Sequence, residues 1–128
     1  MGNTRSNRLL TQVATAQGLF YIITGLWSLV SIDTFQAVTG PKTDLWLVKT
    51  VGAMLIVSGA VFLSAALRRR FSLEILVLAV GNATVLAAVD IIYSLQGRIP
   101  LIYLIDALME LIIIGAWIGA WLKAWRGR

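Results

Sequence analysis

Four apolar runs of nearly equal length leave this chain few ways to fold: Leu9–Ser31, Leu45–Leu67, Leu73–Leu95 and Leu101–Leu122. Each holds 22 or 23 residues, and an α-helix crosses a hydrocarbon core of about 30 Å in about 20 residues. Only 13% of the chain is charged, against about 25% in ordinary soluble domains. The runs use nearly all of the 128 residues, so one membrane unit over residues 1–128 is expected, with no separate soluble domain. The connections between runs are short, which predicts an all-α membrane protein: an up-down-up-down antiparallel four-helix transmembrane bundle. The first run is too long for the apolar core of a signal peptide, and no Ala-x-Ala site comes after it.

The formal charge of +5 is informative through its placement. Arg5 and Arg8 precede the first run; Arg68, Arg69 and Arg70 fill the second connection; Lys123, Arg126 and Arg128 close the chain. The first and third connections carry only Lys42 and Arg98. The positive-inside rule then predicts a multi-pass protein of the cell membrane with both termini in the cytoplasm. Anionic head groups of the lipid bilayer, rather than nucleic acid, are the expected contacts of these basic residues.

Helix punctuation fits these spans. Asp33 with Gln36 three residues on has the spacing of a capping box, and Gly40-Pro41 is a helix stop, so a short interfacial helix is expected near residues 34–38. Thr43 or Asp44 suits the start of the second span, Ser72 that of the third, and Pro100 the first turn of the fourth. Trp27, Trp46, Tyr93 and Tyr103 fall near one set of span ends, and Phe71, Trp121 and Trp125 near the other, where interface belts lie.

The polar residues inside the spans carry the functional information. A charged group in a bilayer is costly and marks a site by default. Asp106 and Glu110 lie one turn apart in the fourth span, Asp90 in the third and Lys49 in the second. From the rise per residue, Lys49, Asp90 and Asp106 fall about 9–10 Å to the outer side of mid-span, and Glu110 about 3 Å. In the first span Gln17, Tyr21, Thr24, Ser28 and Ser31 form one polar stripe, and Asn82 lies near the middle of the third. The opposite half of the inward faces is apolar, so a polar outer half and a sealed inner half are expected. Three acids against one lysine leave an excess of negative charge, and at least one acid, with Glu110 the deepest, is expected to carry a proton near neutral pH.

Glu110, Asp106, Asp90, Lys49, Gln17, Tyr21, Thr24 and Asn82 are therefore the candidate ligand- or proton-binding residues. Gly115 and Gly119, on the far side of the fourth helix from Asp106, form a Gly-x-x-x-Gly pair suited to a homo-oligomer contact. The chain has no histidine and no cysteine, which removes thiol chemistry and histidine-ligated haem. No metal site, cofactor or catalytic residue is assigned, because neither a nucleophile motif nor a phosphate-cradling glycine loop is present. Small multidrug transporters share the size and an embedded carboxylate, but theirs lies in the first span, which carries no acid here. Two readings remain. One is the binding or transport of a small cationic or protonated solute. The other is an accessory subunit of a larger membrane assembly whose polar core is purely architectural.

Overall fold

The computed structural model describes residues 4–126, with side chains from Asn7 onward. The side chain of Arg5, and all of Arg128, lie outside the described residues. Helices α1 (Thr4–Val30), α3 (Leu45–Arg68), α4 (Leu73–Leu95) and α5 (Tyr103–Arg126) form the antiparallel bundle, with the short α2 (Ile32–Thr39) between the first two. All four long helices are long and apolar enough to cross a membrane. The 24 residues of α3 extend about 36 Å at 1.5 Å per residue.

Glycines set the tightest contact. A Cβ on Gly18 would lie 2.9 Å from the carbonyl oxygen of Gly59, and one on Gly59 would lie 2.6 Å from that of Gly18. One heptad further on, Gly25 meets the backbone of Gly52, and Gly52 meets Ser28 Oγ, with no room for a side chain at either. Such backbone approach gains dispersion contact that bulkier residues forbid, and it offsets the roughly 1 kcal/mol per glycine that helix propensity costs. Alanines do similar work between α4 and α5. Ala79, Ala83 and Ala87 on α4, with Ala107, Ala120 and Ala124 on α5, are all buried and recur at turn spacing. The helices thus form two close pairs, α1 with α3 and α4 with α5. The pairs meet mainly through α1 and α5, with a smaller contact between α3 and α4.

Ser72 and Gly40 act as the sequence predicts, Asp44 holds the N-cap position of α3 without a side-chain bond, and two expectations fail. Ser72 Oγ accepts from Ile75 N at 3.3 Å, and Gly40 ends α2 with φ 97°. The Asp33–Gln36 capping box does not form. A single residue, Ser31, separates α1 from α2 and occupies the N-cap, so Asp33 already sits inside the first turn. There it complements the helix dipole instead, while Gln36 Oε1 accepts from Lys42 N at 3.0 Å. Pro100 is not in the first helical turn of α5. Tyr103, Leu104 and Ile105 N donate to the carbonyls of Pro100, Leu101 and Ile102, a tight i→i+3 entry that delays the α-helix to Tyr103. The N-terminal helix starts earlier than residue 9, at Thr4, because the polar segment before Leu9 continues the turn.

Candidate functional site: an acidic cavity under a short helix

The half of the bundle near the Arg68–Arg70 turn is closed by packing. Leu10, Ala14, Phe62, Ala66, Ala79, Trp117, Ala120 and Ala124 form a buried cluster there. The Phe71 and Trp117 rings stack edge-on at 6.3 Å between centroids. Above this plug comes a polar layer that ties helices together. Trp117 Nε1 donates to Gln17 Oε1 at 2.6 Å, and Gln17 Nε2 donates to the Ala79 carbonyl at 3.0 Å, linking α5, α1 and α4. Asn82 Nδ2 donates to Ser58 Oγ at 3.1 Å, linking α4 to α3.

Beyond this layer the helices enclose a cavity of about 560 Å³, within the usual range of small-ligand sites. Asp90, Asp106 and Glu110 line it, with Tyr21, Thr24 and Ser28 from the α1 stripe and apolar walls that include Phe20, Leu55 and Leu86. Tyr21 OH donates to Glu110 Oε2 at 2.9 Å, and its ring packs between Phe20 and Phe62. Asp90 on α4 and Asp106 on α5 are close enough for their carboxyls to act on one another.

Three buried side-chain oxygens among the described residues have no hydrogen-bond partner, and two belong to this cavity: Asp90 Oδ2 and Glu110 Oε1. Glu110 is 1% exposed and Asp90 4%. Buried polar atoms are partnered as a rule, because each unmet one costs about 1–3 kcal/mol. Two in one cavity, both on acids, are therefore informative.

Helix α2 covers the end. Trp27 Nε1 donates to Thr34 Oγ1 at 2.9 Å, and the Trp27 and Phe35 rings stack edge-on at 5.2 Å, folding α2 back from α1. At its far end a Cβ on Gly40 would lie 2.7 Å from Pro100 Cγ, so α2 reaches the α4–α5 connection. Lys42, in the cavity lining, is held there. Its Nζ donates to Thr39 O (3.0 Å), Thr39 Oγ1 (3.3 Å) and Gly40 O (2.8 Å) and lies 5.2 Å from the Tyr103 ring centroid. All three ammonium donors are used, so Lys42 is not the counter-ion of the acids.

Five of the eight sequence candidates line the cavity: Glu110, Asp106, Asp90, Tyr21 and Thr24. Gln17 lies beneath it as the tie between three helices, and Asn82 lies apart, spent on Ser58. Lys49 corrects the expectation of a lysine level with Asp90 and Asp106 inside the bundle. It is exposed, on the side of α3 that carries the exposed Ala53 and Ala60, because the Gly52/Gly59 face turns toward α1 instead. Gly115 and Gly119 have nothing within 4 Å of an added Cβ and stand on an open face. Sequence reasoning missed Lys42, Phe35 and Thr39, all cavity-lining and all outside the four spans. The Gly40-Pro41 stop was the available signal that the chain turns back there. Of the aromatic residues near the span ends, Trp27 and Phe71 are half-buried against Phe35 and Trp117, while Trp46 (68% exposed) and Trp125 (64%) stand out from the bundle.

Among the described residues no three acidic side chains converge at metal-ligand spacing. Comparison with known protein families, curated proteins and solved structures gives no match.

Proposed function

We propose that this chain is an integral membrane protein whose acidic cavity binds a small cationic or protonated solute. The supporting observation is that three acids from two helices, Asp90, Asp106 and Glu110, line one ligand-sized space. A protonated nitrogen supplies the positive charge that they call for. Exposed apolar side chains such as Ile23, Met54, Val77, Val85 and Ile112 ring the bundle, a surface suited to lipid and far beyond the few hundred Å² of a soluble monomer. Arg8, Arg68, Arg69, Arg70, Lys123 and Arg126 gather at one end of the antiparallel bundle. That end is read as cytoplasmic, which places α2 and the cavity on the outer side of the cell membrane.

Thermal unfolding in detergent, with and without a broad panel of protonated amines and quaternary ammonium ions, tests this reading. Stabilisation of the wild type that disappears in both Asp106→Asn and Glu110→Gln is expected. The same response in the variants, or none in the wild type, removes it. The second reading, a scaffold subunit of a larger assembly, is favoured by the Gln17 and Asn82 ties, which are satisfied and purely interhelical. Under that reading the acids stabilise the fold. Breaking a structural buried pair typically costs about 3–5 kcal/mol, so wild-type-like or higher stability of Asp106→Asn counts against it.

A further inference from the structure

The route into the cavity narrows the ligand class, given that the cavity is a cation site as proposed above. Seven residues both line it and show on the outside of the bundle: Val38, Leu47, Val51, Val89, Ile102, Ile105 and Met109. All are apolar, and each is 39% exposed or more. Val38 belongs to α2, and the other six to α3, α4, α5 and the turn that leads into α5, so most of the exposed rim faces sideways out of the bundle. The end of the bundle is different. There α2 lies across it, Lys42 brings a positive charge, and the Lys42 ammonium is fixed by three acceptors.

These two approaches sort ligands by chemistry. A cation arriving past α2 meets like charge. A hydrophilic ion arriving sideways must shed its water across an apolar rim before it reaches a carboxylate, and burying an unpaired charge is very costly. A molecule with an apolar tail loses nothing at that rim, and its tail remains against apolar walls after its head reaches the acids. We propose that the ligand is a lipophilic amine, a protonated nitrogen on an aliphatic or aromatic body, that enters laterally from the bilayer and pairs its head with Asp90, Asp106 and Glu110. The Tyr21 hydroxyl already serves one Glu110 oxygen, which leaves Oε1 and the Asp90–Asp106 pair to the nitrogen.

The test is saturable binding of butyl-, hexyl-, octyl- and decylammonium to the protein in lipid nanodiscs, corrected for partitioning into empty nanodiscs. Binding is expected to tighten about fourfold per methylene, the transfer value for one buried CH₂, until the cavity is filled. It should weaken at least tenfold in Glu110→Gln, and octanol should not compete. Val51→Trp with Val89→Trp, which leaves the acids untouched, should weaken decylammonium more than butylammonium. This pair keeps the test decisive should an acid variant fail to fold. Acid-dependent binding of tetramethylammonium or putrescine as tight as that of octylammonium overturns the lipophilic, lateral class and leaves the cation site standing. Octanol competing on equal terms overturns recognition of the charged head. No saturable amine binding, or equal binding by wild type and Glu110→Gln, overturns both the class and the site.

Discussion

Glu110 is 1% exposed and receives one hydrogen bond, from Tyr21. Tyr21→Phe removes that donor and leaves both carboxylate oxygens unmet, so a loss of about 1–3 kcal/mol in unfolding free energy is expected. Replacing both partners, as Tyr21→Phe with Glu110→Met, should recover most of it, because no orphaned polar atom remains. Equal stability of the single and double variants would show that the hydrogen bond contributes nothing to the fold. Three acids in one cavity give a second expectation: infrared difference spectra of the wild type near neutral pH should contain a protonated-carboxyl C=O band that Glu110→Gln removes. A spectrum without that band means that Glu110 holds no proton there. The sequence led to Glu110, Asp106, Asp90 and Tyr21, since helical periodicity and rise place inward-facing groups by arithmetic. It failed on Lys49, because which neighbour a helix face meets depends on helix rotation. Its face could be read, but the partner of that face was set by glycines rather than by polarity.

At the scale of the helices, the α1–α3 seam and the open α5 face give opposite expectations for one kind of change. Gly59→Leu drives a side chain into the Gly18 carbonyl and the Ile22 side chain, and overpacking of this kind costs about 1–3 kcal/mol or more. Gly115→Leu with Gly119→Leu meets open space. It should leave the thermal midpoint of the monomer essentially unchanged, and weaken any self-association measured by crosslinking in lipid. A midpoint that falls equally in both variants would contradict the packing described for α1 and α3. The seven-residue spacing within each pair, Gly18 to Gly25 and Gly52 to Gly59, brings both glycines of a helix to one face. Helix α2 was legible as an element and not as a cover, since the length of a connection fixes neither its direction across the bundle end nor its contact with Pro100.

For the whole molecule, the uneven basic charge leads to an orientation that can be measured directly, because the chain has no cysteine to remove. Single cysteines at Ser72 and Arg98, positions at opposite ends of the bundle, should label from opposite sides of intact cells. Labelling of Ser72→Cys by an impermeant reagent from outside would invert the topology. The number of long helices, their antiparallel order and the closed inner half came from run length, loop length and apolar patterning. The cavity did not, because a space is defined by what four helices together leave unfilled. The glycine seam also carries a historical consequence. At Gly18, Gly25, Gly52 and Gly59 the contact is backbone against neighbour, so the only tolerated side chain there is a hydrogen atom. Descendants of this sequence are thus free to reshape the cavity wall, but at these four positions drift has nowhere to go.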